Sequence, residues 1–374
     1  MYKYILFLLM LQFQKGFSQS WSDSLDTYAR EVYLPANKYR WTWQNASLLN
    51  IMVKQYDLSS ELERKKYFDY IEDAMHKTSK KARGKSPNSV ASGLGKAFLY
   101  RITKEEKYKL ICEKIFNEYQ QIRRTNEGAV SHLSFTTQLW DDTVYMIGVF
   151  LLEMYKATGD EKYLDELVLQ ITLHRDKLQN KEWGLWVHGW DSDAKSRCTF
   201  CGQWGWPDSA SGRSAELWGR GNGWVIVTLS DILKAIPENS KHKKTLENYL
   251  LEMIVKLPEL QDKATGHWYQ LPIRNTEQKN YIESSCTAMF AYGIMTAVKL
   301  GIVSDEKYKT SVDAAYNGLR KHSLTNYKEK YLKTLNVCKG TCIGDKDYYF
   351  NRKTKREKPS GLAMFLNFGI NYKQ

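Results

Sequence analysis

The stretch "LLEMYKATGDEKY", Leu151 to Tyr163, runs from an apolar helix end through a polar turn into "EKY" and a second amphipathic run. The same order recurs in "AFLYRITKEEKY" (Ala97 to Tyr108) and in "MTAVKLGIVSDEKY" (Met295 to Tyr308). Tyr108 and Tyr163 are 55 residues apart, about the length of one helical hairpin with its connections. Between these markers the apolar spacing is helical. Leu110, Ile111, Ile115 and Tyr119 share one face, as do Leu164, Leu167, Val168 and Ile171. Only 7 prolines interrupt the chain. Two brief segments, "GLWVHGW" and "HWYQLPI", read as extended. Dividing the chain by its repeat gives about six hairpins. Six hairpins closed into a ring predict an all-α (α/α)6 barrel forming a single domain over residues 19–374. An open solenoid would be longer and more regular, with distinct end caps.

The beginning of the chain has a different character. Lys3, the apolar run Tyr4 to Leu11 and the small residues Gly16 and Ser18 read as a signal peptide over residues 1–18. Export to the periplasm or beyond is the expectation. No later stretch is apolar enough for a membrane span. The formal charge is +13; without Lys3 and Lys15, 53 basic residues face 42 acidic ones, or +11. Such an excess suits an acidic partner. Nucleic acid is disfavoured by export and by the lack of reading motifs. An anionic polysaccharide fits best, against simple solvation of the surface.

Six cysteines are present: Cys112, Cys198, Cys201, Cys286, Cys338 and Cys342. Cys112 and Cys286 sit among apolar neighbours and read as inert core residues. The close couples Cys198/Cys201 and Cys338/Cys342 allow local disulfides, cross-linked loops or four thiolates around zinc. An oxidising compartment and the longer second spacing favour disulfides.

The chemistry gathers in three stretches. In "QLWDDTVYM" (Gln138 to Met146) two aspartates interrupt apolar sequence. Counted by threes and fours from Phe135, Asp142 falls in line with Leu139, Met146 and Phe150, and Asp141 falls with Ser134, Thr137 and Gly148. Asp142 is therefore expected to face the ring interior, where desolvation would raise its pKa and make it an acid. The second stretch, "EWGLWVHGWDSD" (Glu182 to Asp193), places His188 among tryptophans. In the third, "RSAELWGRGNGWV" (Arg213 to Val225), Gly219, Gly221 and Gly223 are expected to let the backbone approach a ligand. The 12 tryptophans concentrate in such loops, as a sugar-stacking pocket would require. Dinucleotide, P-loop, HExxH and GxSxG patterns are absent.

Together, "WDDTVYM", "GLWVHGWD", "WGRGNGWV", "ESSCTAMFAYG" and "VCKGTCIGDKDYY" resemble the unsaturated glycuronyl hydrolases of glycoside hydrolase families 88 and 105, family 105 most closely. The resemblance spans nearly the whole mature chain and implies the same (α/α)6 barrel. It also implies hydration of a 4,5-unsaturated uronic acid left by a polysaccharide lyase, without metal or cofactor. The motif Trp-x-Asp-x-x-Tyr-Met makes Asp142, not Asp141, the implied catalytic acid. His188, Arg213, Trp218, Arg220 and Trp224 match substrate-binding stretches, while His132, at the expected start of the Asp142 helix, is an implied wall of the same pocket and Trp43 an implied stacking surface at its entrance. In "SPNSVASGLGKAFLY", Asn88 stands where many relatives carry a second aspartate. An amide cannot act as an acid, so Asn88 is expected to place water or substrate. The implied substrate is a sulfated fragment such as that of ulvan, with a pectic rhamnogalacturonide or a non-catalytic sugar-binding role as alternatives.

Overall fold

The computed structural model describes residues 20–196, 204–355 and 358–372. Its helices form a double ring. The inner helices are α2 (Trp43–Leu58), α4 (Leu94–Thr103), α6 (Asp142–Thr158), α8 (Gly219–Ala235), α10 (Ser284–Lys299) and α12 (Pro359–Tyr372). Each packs against the next, and α12 returns to α2 to close the circle. Outside them lie α3 (Glu61–Lys77), α5 (Glu106–Gln120), α7 (Glu161–Leu178), α9 (Lys243–Ile254) and α11 (Glu306–His322), each covering the inner helix that precedes it. The expected (α/α)6 barrel is the observed architecture. The sixth pair is not a hairpin: α1 (Trp21–Thr27), from the start of the described chain, covers α12 at its end. The Trp21 ring lies over Gly369, where a Cβ would come within 2.5 Å of it, and meets Phe365 edge-on at 6.3 Å. One apolar core runs round the ring from Trp21 to Ile370. Among the described residues no helix is long and apolar enough to cross a membrane.

The repeat that announced the hairpins has a physical origin. Glu105, Asp160 and Asp305 are the N-caps of α5, α7 and α11. At α7 the Asp160 carboxylate accepts the Lys162 N–H across 3.1 Å, satisfying a donor that the helix itself leaves open. The following Glu sits in the first turn, favoured by the helix dipole. Tyr108, Tyr163 and Tyr308 are buried, and the ammonium of the lysine before each lies 4.7, 4.9 and 5.1 Å from its ring centroid. Left-handed residues Lys104, Gly159 and Gly301 accompany the preceding turns.

Because each outer helix runs back along its partner, all inner helices begin at one end of the barrel. The opposite end holds a cavity of about 250 Å³ lined by Lys54, Asp57, Glu153, Lys156, Asp231 and Lys234, among others. Most of those charges are spent on one another: Lys54 pairs with Asp231 at 2.6 Å and Lys156 with Asp57 at 2.8 Å.

Three expectations change. "QLW" is not helical: β1 (Gln138–Trp140) pairs antiparallel with β2 (Gly189–Asp191), Leu139 opposite Trp190. Helix α6 begins at Asp142 with Asp141 as its N-cap, so a helical count from Phe135 crosses a strand and carries no face information. "HWYQLPI" is extended only as far as its single bridge, Tyr269 to Ile282, and turns into a short 3-10 helix at Pro272. Cys338 and Cys342 are not joined to each other. Cys338 Sγ instead lies 3.2 Å from both the Tyr281 hydroxyl and Gln270 Nε2, while Cys342 packs beside Trp140 and Ile343. Cys198, Cys201 and residues 1–18 lie outside the described residues.

Candidate active site

Two short strands and one helix start define the site. The Asp141 N–H donates to the His188 carbonyl at 3.1 Å, and the His188 N–H donates to the Glu216 carbonyl at 3.0 Å. These bonds fix the imidazole against the first turn of α6. His188 Nε2 stands 3.2 Å from Asp142 Oδ2, and Nδ1 stands 2.7 Å from the Tyr349 hydroxyl. Trp218 packs on the imidazole at 4.5 Å and Trp140 meets it edge-on at 5.6 Å. Burial pushes the His188 pKa down, although the hydrogen bond and charge of Asp142 oppose it. Burial also raises the Tyr349 phenol well above its ordinary range. With Asp142 ionised, a neutral imidazole beside a protonated phenol has one consistent arrangement: Tyr349 O–H donates to Nδ1, and Nε2–H donates to Asp142.

The two carboxyl groups differ sharply. Burial pushes the Asp142 pKa up, but the hydrogen bond from His188 first, then the nearby His188 and His132 rings and the Arg220 charge, hold it below the usual value. Its place in the first turn of α6 also favours an anion. Asp141 shifts the other way: burial first, then the Asp142 charge, raise it well above the normal carboxylate range. This reverses the expectation of a raised Asp142, because the upward shift falls on the neighbour, where burial and the Asp142 charge outweigh the backbone N–H groups that oppose them. Asp142 keeps 8% exposure and Asp141 has none, so Asp142 is the carboxyl that can reach a ligand. Asp141, Asp142 and His188 present ligand atoms within 4.8 Å of one another, a spacing compatible with a cation.

Of the other candidates, His132 joins this group. It precedes β1 rather than starting a helix, stacks on Trp140 at 4.5 Å and 5°, and places Nδ1 3.0 Å from Thr143 Oγ1. Burial lowers its pKa to about 4, so it too is neutral near pH 7. Asn88 is half-buried on the turn Pro87–Val90, which packs against α6. Half-buried Trp43 meets Trp224 edge-on at 6.3 Å, and Trp224 packs on Tyr145 at 4.3 Å. Trp224 is fully enclosed, which makes it support for Trp43 rather than a surface for a sugar.

Arg220 is enclosed as well, with its guanidinium 4.7 Å over Trp218 and donating to the Cys338 and Lys339 carbonyls at 2.9 and 2.7 Å. Trp218 in turn donates Nε1–H to Gln270 at 3.2 Å. Both hold the floor behind His188. Arg213 is set apart, donating to the Leu178 and Gln179 carbonyls at 2.9 and 2.7 Å on a cavity that Trp206 and Val187 also line. The three glycines of "GRGNG" face protein rather than a ligand. A Cβ would lie 3.0 Å from Cys286 Sγ at Gly219, 2.1 Å from Asp141 Oδ2 at Gly221 and 2.3 Å from Met289 Sδ at Gly223. Sequence reasoning missed Tyr349; its signal is the tyrosine pair in "DKDYYF", which neither charge nor periodicity distinguishes.

The fold recurs in known proteins. The unsaturated rhamnogalacturonyl hydrolase YesR of Bacillus subtilis (strain 168) is 27% identical over 222 residues, 58% of this chain and 59% of that protein. The unsaturated 3S-rhamnoglycuronyl hydrolase of Alteromonas sp. (strain LOR) is 28% identical over 196 residues, 51% of this chain and 43% of that one. The chain thus spans about half the length of these curated relatives. Among solved structures, a family 105 glycoside hydrolase of C. acetobutylicum ATCC 824 superposes with a TM-score of 0.82 at 24% identity, covering 95% of this chain and 99% of that one. A possible family 105 member from Salmonella enterica subsp. enterica serovar Paratyphi A reaches 0.74 at 26% identity, covering 94% and 92%. The model of Glycosyl Hydrolase Family 88 matches residues 16–374, and the chain belongs to that family.

Proposed function

We propose that this protein is an unsaturated glycuronyl hydrolase that uses Asp142 as its acid. The observation that carries the reading is the Asp142 carboxyl in the first turn of an inner helix, partly open and held by His188 Nε2 at 3.2 Å. In the reaction, protonated Asp142 gives its proton to carbon 4 of the vinyl ether. Water adds at carbon 5, and its spare proton returns to Asp142. The hemiketal so formed opens and the glycosidic bond is lost. His188 orients the carboxyl, and Asn88 places water or the substrate ring. Export through the leader and supply of substrate by a polysaccharide lyase complete the proposal.

An anionic, sulfated substrate is supported by a second feature at the same end of the barrel. A cavity of about 480 Å³ is lined by Tyr39, Arg40, Trp41, Thr42, Lys77, Thr78, Lys81 and Arg83, with four cations and no carboxylate. It adjoins the Asn88 turn, because Trp41 Nε1–H donates to the Ser89 carbonyl at 2.9 Å. A sulfated rhamnose beside the unsaturated uronic acid, as in ulvan, would meet those cations. The name of the B. subtilis relative favours a pectic rhamnogalacturonide as second reading.

The test is loss of the ultraviolet absorbance of the conjugated uronate, measured with sulfated and pectic lyase products. Asp142→Asn should abolish turnover, by about a hundredfold or more, with folding retained. Wild-type protein that binds the oligosaccharides but leaves the double bond intact would show a binding protein instead.

A further inference from the structure

Asp141 has no function in the proposal above, yet a buried acid without partners is costly to keep. Its side chain is fully enclosed, and apart from the adjacent Asp142 carboxyl and the backbone of the pair itself neither oxygen has a hydrogen-bonding partner among the described residues. The space it fills is made for it by Gly221 of α8, since any Cβ there would collide with the carboxyl. Asp141 Oδ1 lies 3.9 Å from His188 Nε2, and the ligand atoms of Asp141, Asp142 and His188 fall within 4.8 Å. The charged and titratable groups around this pair come from several elements. They are His188 before β2, His132 before β1, Arg220 of α8, Cys342, and Tyr349 of the short helix Lys346–Phe350. His188, His132 and Arg220 act on Asp142, whereas Asp141 is pushed up by burial and by the charge and carboxyl of Asp142, against two backbone N–H groups.

We infer that Asp141 is a positioning residue that shares one proton with Asp142 and keeps it available to the reacting carboxyl. Two adjacent carboxyls in a desolvated site do not both ionise readily, so the pair retains one proton over a wide pH range. In the resting site the proton lies on Asp141, and Asp142 accepts from His188. In the reactive form the proton lies on Asp142 and moves to carbon 4, and the proton released by water returns to the pair. Each turnover therefore ends with the one proton it began with. This inference rests on the hydrolase reading.

Asp141→Asn mimics the protonated side chain and tests it through the pH profile. Without a partner, Asp142 titrates alone under the pull of His188, His132 and Arg220. The alkaline limb of kcat should then move to lower pH by about one unit or more. A packing role alone would leave the limb in place, so superimposable wild-type and variant profiles overturn the inference. The reciprocal measurement follows the infrared band of the protonated Asp141 carboxyl in Asp142→Asn. Removing the neighbouring charge should let Asp141 ionise at lower pH than in wild type, and an unmoved band overturns the inference whether or not Asp141→Asn folds. Wild-type turnover by Asp142→Asn would refute the hydrolase assignment of Asp142 itself, a result distinct from either outcome at Asp141.

Discussion

The Tyr349 hydroxyl and His188 Nδ1 stand 2.7 Å apart, joining a five-residue helix near the end of the chain to the loop before β2. Because the phenol is held protonated, it donates, and His188 must present its N–H to Asp142. Tyr349→Phe removes that constraint while leaving the ring packing. The imidazole can then adopt the other tautomer, so kcat should fall by about tenfold while KM changes little, for a loss of about 1.4 kcal/mol. Steady-state kinetics with an unchanged circular dichroism spectrum checks this; undiminished kcat would remove Tyr349 from the orientation of the site.

Gly221 has no freedom to gain a side chain. A Cβ would lie 2.1 Å from Asp141 Oδ2, on a group pinned at a helix start. Gly221→Ala should therefore destabilise the fold by about 1–3 kcal/mol in denaturant unfolding and lower activity as Asp141 is displaced. At Gly340 a Cβ meets nothing within 4 Å, so Gly340→Ala serves as the control and should be near wild type.

The cationic cavity makes a separate prediction about substrate. Lys81 and Arg83 are exposed and touch neither Asp142 nor His188. Replacing both by alanine should raise KM several-fold for a sulfated unsaturated disaccharide at low salt and leave kcat unchanged, with the difference fading as salt screens the charges. Unaltered KM at low salt would place the anionic group elsewhere.

His174 sets a pH limit on stability. It is fully buried, with Nδ1–H donating to the Gln170 carbonyl at 2.8 Å, and burial lowers its pKa from 6.5 to about 4. Since the unfolded chain takes up the proton first, this contribution is complete above about pH 6.5 and is lost as pH falls through about 4. It amounts to about 3 kcal/mol. Thermal unfolding should show Tm falling across that window, and His174→Asn should flatten the slope. An identical slope in the variant would assign the acid loss to other groups.

The sequence carried the architecture well because its signals are local. An acidic N-cap, a glutamate in the first turn and a tyrosine turned inward recur at Tyr108, Tyr163 and Tyr308, and each is dictated by the few residues around it. The pairing of α1 with α12 was not legible, since Trp21 and Gly369 meet only after the ring has closed. Nor could spacing show that Gln138–Trp140 is a strand, because its partner is Gly189–Asp191.

By itself the sequence determined that helices alternate in a ring, and its motif singled out Asp142 from Asp141 as the candidate acid. Tertiary structure decided how the two aspartates share their charge. Desolvation acts on both, but His188 and Arg220, brought in from later parts of the chain, and His132 from the loop before β1 support Asp142. It likewise enclosed Arg220 and Trp224, which the sequence could present as candidates but could not bury. Electrostatic environment is set by neighbours in space, and here those neighbours are brought together by the closing of the barrel.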